Sequence, residues 1–212
     1  MVITSVLNTD SEYVSVCVQK NDQEVRKTLS LNDYRRACSE LTIREEHAVH
    51  RVGALPAGFV DGGVNEDYHE AIIRVPAGKR PFIYHNKEYV IPFPTTVFHF
   101  TTIRGKAHST RVWFADEEGK LYRYPFGNVY KDNRICWGGN RLPDVHNLKD
   151  FDKYVAIFFS ASTNDDLYSG VKLVVDGKKV PLAQRDLLEY VSVKDAFPMD
   201  LLMPYGMSIG EL

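Results

Sequence analysis

The chain has 212 residues and a mass of 24.2 kDa, which against about 150 residues per domain indicates one large domain or a domain with an appended subdomain. Its 44% hydrophobic and 25% charged residues exclude a disordered or collagen-like chain. Twenty-six basic against 28 acidic residues, a net charge of -2, leave no clustered positive charge for sequence-independent nucleic-acid binding.

The opening Met-Val-Ile-Thr-Ser lacks the basic and long apolar regions of a signal peptide. The longest apolar run, from Tyr154 to Ala161, falls far short of the roughly 18 residues a membrane-spanning helix needs. Cytoplasmic residence without membrane association is the expectation. From Glu12 to Gln19 the valines Val14, Val16 and Val18 alternate with Tyr13, Ser15 and Cys17, the pattern of a half-buried strand. Ser30 followed by Asp33 is a capping-box start, and Leu31, Tyr34, Ala37, Cys38 and Leu41 then share one helical face. The Gly and Pro density from Val49 to Gly63 reads as irregular connection.

Short β-branched or aromatic runs follow at Ala71 to Val75, Phe82 to His85, Glu88 to Phe93, Val97 to Thr101, Thr110 to Ala115 and Lys120 to Tyr124. Turn residues such as Asn86-Lys87 and Asp116 to Gly119 separate them, so the centre of the chain reads as an antiparallel meander. From Pro125 to Pro143 the turn-forming residues leave only a long loop. Val145, Leu148, Phe151, Val155 and Phe158 suggest a helix packed on the sheet, and Pro181 marks the first turn of another that carries Leu187, Leu188 and Val191. The expected organisation is α+β, with residues 1–50 a strand and helix extension and residues 51–212 the core domain.

Three cysteines form no C-x-x-C pair, which fits a reducing compartment. Cys38 belongs with the apolar helix face and reads as core. Cys17 sits on the more polar face of a strand. Cys136 differs, because it follows Lys131-Asp132-Asn133-Arg134-Ile135 and precedes Trp137-Gly138-Gly139 in a loop that leaves a thiol accessible. His47 and His50 lack the H-E-x-x-H pattern, and no metal site or cofactor is expected. The G-x-S-x-G elbow, the P-loop and the G-x-G-x-x-G fingerprint are absent.

The segment from Tyr124 to Cys136 resembles the active-site loop of ubiquitin-conjugating enzymes, in which a His-Pro-Asn tripeptide is followed by Ile-Cys with the cysteine eight positions after the asparagine. Here Cys136 stands eight positions after Asn128. Upstream, Ile91-Pro92-Phe93 to Thr101-Thr102 resembles the family's Tyr-Pro-Phe strand. Two departures mark a divergent branch: Phe126-Gly127 replaces His-Pro, and the stretch from Ile103 to Arg123, read as a hairpin, intervenes before the loop. The nearest resemblance is to the prokaryotic ubiquitin-conjugating-like family D, which includes the PRTRC system protein B group. It is carried by Ala54-Leu55-Pro56, by Ile72-Ile73-Arg74-Val75-Pro76, and by Asn128-Val129-Tyr130 leading to Cys136-Trp137-Gly138.

That resemblance implies a bacterial transferase encoded beside a ThiF-like activating enzyme, a JAB-type metallopeptidase and a ubiquitin-like modifier. Cys136 would take the modifier as a thioester. An ordinary thiol of pKa about 8.5 is about 7% thiolate at pH 7.4, enough to attack an activated thioester. Asn128 would donate a hydrogen bond to the oxyanion or else fix the loop as a turn residue. Asp165 would orient the incoming nucleophile, and Trp137 would pack beneath the loop. Two other readings stay open: an inactive adaptor that binds a modifier or partner protein, and a cysteine hydrolase using His146.

Overall fold

The computed structural model describes residues 2–7, 11–20, 23–40, 53–175 and 178–212. The chain forms two compact units, Met1–Val49 and His50–Leu212. In the first, strands β1 (Val2–Leu7), β2 (Tyr13–Lys20) and β3 (Gln23–Ser30) make an antiparallel sheet in chain order, and α1 (Leu31–Glu40) follows. The alternation in β2 holds, with Val14 buried, Val16 and Val18 half-buried, and Tyr13 and Ser15 exposed. Ser30 starts the helix: its Oγ accepts the Asp33 N–H at 3.1 Å and donates to the Asp33 carboxylate at 2.7 Å.

The reading of Cys38 as core needs correction. Contact is made by the first turn of α1, where Leu31 and Tyr34 are half-buried and the Tyr34 hydroxyl meets Ser5 Oγ at 2.7 Å. One turn later Ala37 and Cys38 are exposed. Leu41, His47 and His50 lie outside the described residues.

The second unit contains, in chain order, β4 (Phe59–Val64), β5 (Tyr68–Val75), β6 (Gly78–Tyr84), β7 (Lys87–Phe93), β8 (Thr95–Ile103), β9 (Lys106–Ala115), β10 (Lys120–Arg123), α2 (Phe151–Ser160), β11 (Val171–Val175), β12 (Lys178–Leu182), α3 (Gln184–Ser192) and β13 (Pro204–Ser208). Six of these strands form the main antiparallel sheet, in the order β13-β10-β9-β8-β5-β4. The fold class is α+β, as expected. Among the described residues no helix is long and apolar enough to cross a membrane.

The meander is interrupted. Strands β6 and β7 form a separate two-stranded ribbon, which Tyr84 also bridges to Thr163, and β5 pairs directly with β8. Phe82, Tyr84, Tyr89, Ile91 and Phe93 are drawn into the core instead of extending the sheet. The hairpin turns at His85-Asn86, one residue before the expected position, with both residues left-handed (φ 45° and 64°) as a two-residue primed turn requires.

The Gly-rich segment read as irregular contains the edge strand β4. A Cβ on Gly62 would stand 2.1 Å from the Glu70 carbonyl oxygen, so glycine is what lets β4 close on β5. Helix α2 starts at Phe151. Val145 and Leu148 are buried ahead of it, Leu148 in a 3-10 turn. Pro181 belongs to β12 and not to a helix, opposite Lys172 in a two-stranded hairpin that tolerates its missing N–H. Helix α3 begins three residues later and buries Leu187, Leu188 and Val191 as expected.

One sheet face forms the main core. Phe98 and Phe100 meet Phe158 and Phe151 of α2 at ring separations of 5.1 and 5.6 Å. Each such ring contributes about 1.5 to 3 kcal/mol by burial. The far face carries a smaller cluster of Ile72, Val97, Trp113, Ala115 and Leu121, covered by Tyr205, Ile209 and Leu212.

Candidate active site

Beyond β10 the chain first dives inward. Tyr124, Pro125, Phe126 and Gly127 are all buried, and the Phe126 ring lies 4.7 Å from Phe82 and 5.5 Å from Tyr124. This apolar anchor occupies the place where the resembling enzymes carry histidine. Gly127 explains the other departure. Its N–H donates to Oε1 of the fully buried Gln184 at 2.5 Å, a bond proline cannot make, and a Cβ there would stand 2.1 Å from the Asn164 carbonyl oxygen. Gln184 completes the clasp by donating from Nε2 to that same oxygen at 3.0 Å.

From Asn128 the backbone turns outward as a narrow antiparallel loop. The Cys136 N–H donates to the Asn128 carbonyl at 2.7 Å, Val129 bridges Ile135, and the Tyr130 N–H donates to the Arg134 carbonyl at 2.8 Å. The tip is closed by the Asn133 N–H on the Tyr130 carbonyl at 2.9 Å. The returning limb is pinned to β9, because Val112 N–H donates to the Asn133 carbonyl at 3.0 Å and Ile135 N–H to the Thr110 carbonyl at 2.9 Å. Asn133 is itself buried and left-handed (φ 64°), and its Oδ1 accepts the Tyr124 N–H at 3.3 Å. The position of Cys136 is thereby set by the edge of the sheet.

Cys136 is half-buried. Interaction with the neighbouring Cys136 sulfur pushes the Tyr130 phenol above its ordinary pKa. The Arg134 guanidinium lies 5.3 Å from the Tyr130 ring and donates to Asp132 at 2.6 Å. Residues that pair across a two-stranded loop share a side, so Asn128, Tyr130, Arg134 and Cys136 form one row. Sequence reasoning assigned Tyr130 no role. The signal was present, since pairing 128 with 136 puts 130 on the same side.

Asn128 is left-handed (φ 65°), and its Nδ2 donates to the Ser162 carbonyl at 2.8 Å. Together with Cys136 it lines a small, partly open cavity of about 20 Å³ walled by Phe82, Phe93, Phe158 and Phe159, room for about one water. Trp137 packs under the loop, donating from Nε1 to Thr110 Oγ1 at 2.9 Å, with its ring 5.9 Å from Tyr154.

Asp165 follows the segment that supports Asn128 and Gln184 but is not among the residues lining the Cys136 cavity. Its exposed carboxylate accepts the Tyr84 hydroxyl at 2.8 Å and meets His85 Nε2 at 3.2 Å. Burial first, and then Asp165, push the Tyr84 phenol up to about 12. Among the described residues no histidine lines the cavity. His146, the histidine a cysteine hydrolase would draw on, lies beside Gly53, His69 and Arg104 and not among the residues lining the Cys136 cavity.

The family model for prokaryotic E2 family D matches residues 54–205. No curated protein and no solved structure matches the chain.

Proposed function

This chain belongs to prokaryotic E2 family D, and we propose that it is a conjugating transferase in which Cys136 accepts a ubiquitin-like modifier from an activating enzyme as a thioester and passes it to a nucleophile. The observation that supports this reading is the in-register pairing of Asn128 with Cys136, which brings thiol and carboxamide to one cavity.

In the loading step the Cys136 thiolate attacks the thioester carbonyl held by the activating enzyme. The new carbon–sulfur bond forms as the old one breaks, and the activating enzyme's thiol leaves. An amine or hydroxyl then attacks the Cys136 thioester and gives up its proton, and the Cys136 sulfur departs as thiolate. Tyr130, in the same row of the loop as Cys136 and perturbed by its sulfur, steadies the anion at both ends of the cycle. The Asn128 amide carries two hydrogens. One holds Ser162, and the other faces the oxyanion, a contribution of about 2.7 to 4 kcal/mol. Asp165, held by Tyr84 and His85, orients the nucleophile.

The test uses the lability of thioesters. Given its activating enzyme, modifier and ATP, the wild-type protein forms an adduct one modifier heavier, which a thiol reductant removes. Cys136→Ala forms none, and Cys136→Ser gives either none or an oxyester that reductant leaves intact. An adduct surviving Cys136→Ala would move the nucleophile elsewhere. No adduct in wild type, with an activating enzyme that demonstrably adenylates the modifier, would make the protein an adaptor.

A further inference from the structure

Past the tip of the active loop the surface changes character. Lys131 borders both the shallow pocket beside Tyr130 and a groove of about 570 Å³ that continues along the β11–β12 hairpin. In that hairpin Lys172 stands opposite Pro181 and Val174 opposite Lys179. Residues that pair directly, or lie two apart, share a face, so Lys172, Val174 and Lys179 form one wall of the groove. Arg123, Leu201 and Met203 form the other.

Among the described residues, four cations, Arg123, Lys131, Lys172 and Lys179, line this groove against one carboxylate, Asp200. Among the described residues none of the four makes an ion pair. Elsewhere on the same unit Lys79, Lys106, Lys120 and Lys153 are each matched with a carboxylate. On a chain of net charge -2 the groove is a local inversion of sign. It also carries bare aliphatic surface, with Val174 62% and Met203 59% exposed.

We infer that this groove docks an acidic peptide segment of a protein partner, with carboxylates set against the four cations and apolar side chains on Val174 and Met203. Charge complementarity of this kind steers encounter and fixes register. A single-stranded nucleic acid would satisfy the cations but also gains affinity by stacking bases on exposed aromatic rings, and Tyr124, the aromatic residue that lines the groove, is buried. A partner seated there lies alongside the loop, since Lys131 is five residues before Cys136. The inference does not depend on thioester formation, because docking is measured without activating enzyme or ATP.

The experiment is fluorescence anisotropy with a short labelled peptide of alternating Glu and Leu, the same peptide with Lys for Glu, and a single-stranded oligonucleotide of similar length. The acidic peptide binds wild type, and the affinity falls as ionic strength rises. Lys172→Glu with Lys179→Glu weakens it by about tenfold or more, while the charge-matched control Lys27→Glu with Arg35→Glu, on exposed residues of the first unit, leaves it unchanged. Lys172→Gln with Lys179→Gln, which removes charge but keeps the bulk of the side chains, gives a smaller loss. Equal binding of the basic peptide, no binding of the acidic one, or indifference to the hairpin substitutions overturns the proposal. Tighter, Lys172-dependent binding of the oligonucleotide would make the groove a nucleic-acid site instead.

Discussion

The backbone amide of Cys136 donates a 2.7 Å hydrogen bond to the carbonyl of Asn128, so two residues eight apart in the chain stand opposite each other at the mouth of one loop. The interval is a consequence of geometry. Pairing 128 with 136 carries 129 onto 135 and 130 onto 134, and leaves three residues for the turn. Inserting or removing one residue would slip the register and turn Cys136 to the other side of the loop.

Asn128 combines a left-handed backbone with an amide that holds Ser162, and two substitutions separate these roles. Asn128→Gly keeps the backbone conformation at little cost, whereas Asn128→Ala strains it by about 1 kcal/mol. If the amide serves the oxyanion, both variants load the modifier and discharge it slower by about 10² to 10³ in single-turnover assays. Discharge at the wild-type rate by Asn128→Gly would leave Asn128 as a turn residue alone.

The clasp behind the loop predicts a stability effect at a distance. Gln184→Ala strips partners from the buried Gly127 N–H and from the Asn164 carbonyl, at about 1 to 3 kcal/mol for each group left unpaired. Gly127→Ala forces a Cβ onto the Asn164 backbone and should cost at least about 2 kcal/mol. Urea unfolding measures both. Wild-type midpoints for either variant would mean the clasp is dispensable.

What was legible in the sequence were features whose cause is local. Phe98 and Phe100 alternate with Val97 and His99 because β8 has two faces, and Leu187, Leu188 and Val191 fall on the buried side of α3. The loop could be read because its spacing encodes its register. Gln184 could not be read, since a polar residue at the head of an amphipathic helix gives no local sign that Gly127, 57 residues away, will bond to it. Strand β13 is equally silent. Pro204-Tyr205-Gly206-Met207-Ser208 has little strand character, and its extended form follows from pairing with β10. The exposure of Cys38 is not legible either, because a helical stripe shows which face is apolar and not which of its turns is covered.

Tyr154 links the core to alkaline stability. Its ring is fully buried, its hydroxyl donates to the Pro143 carbonyl at 3.1 Å, and burial pushes its phenol up to about 12. A tyrosine in the unfolded chain ionises near about 10. The folded pKa is the higher one, so the contribution is complete below about pH 10 and is lost as pH rises through about 12. Unfolding free energy should fall across that window, and Tyr154→Phe should flatten the fall while losing about 1 kcal/mol at neutral pH with the hydrogen bond. An unaltered slope in Tyr154→Phe would assign the alkaline loss to the other buried phenols, Tyr84, pushed up to about 12, and Tyr124, which burial pushes up further still.

Exposure and function separate among the cysteines. Cys38 is exposed, while Cys17 and Cys136 are half-buried. Iodoacetamide should therefore alkylate Cys38 first, as followed by peptide mass spectrometry against time, with no loss of modifier loading. Loading should decline only as Cys136 is alkylated. Cys38→Ala should unfold within about 0.5 kcal/mol of wild type, as an exposed substitution does, and lose loading in a single phase that tracks Cys136. If loading instead falls in step with Cys38, or Cys38→Ala folds but cannot load, the acceptor thiol lies in the first unit and the paired loop of Asn128 and Cys136 serves another purpose.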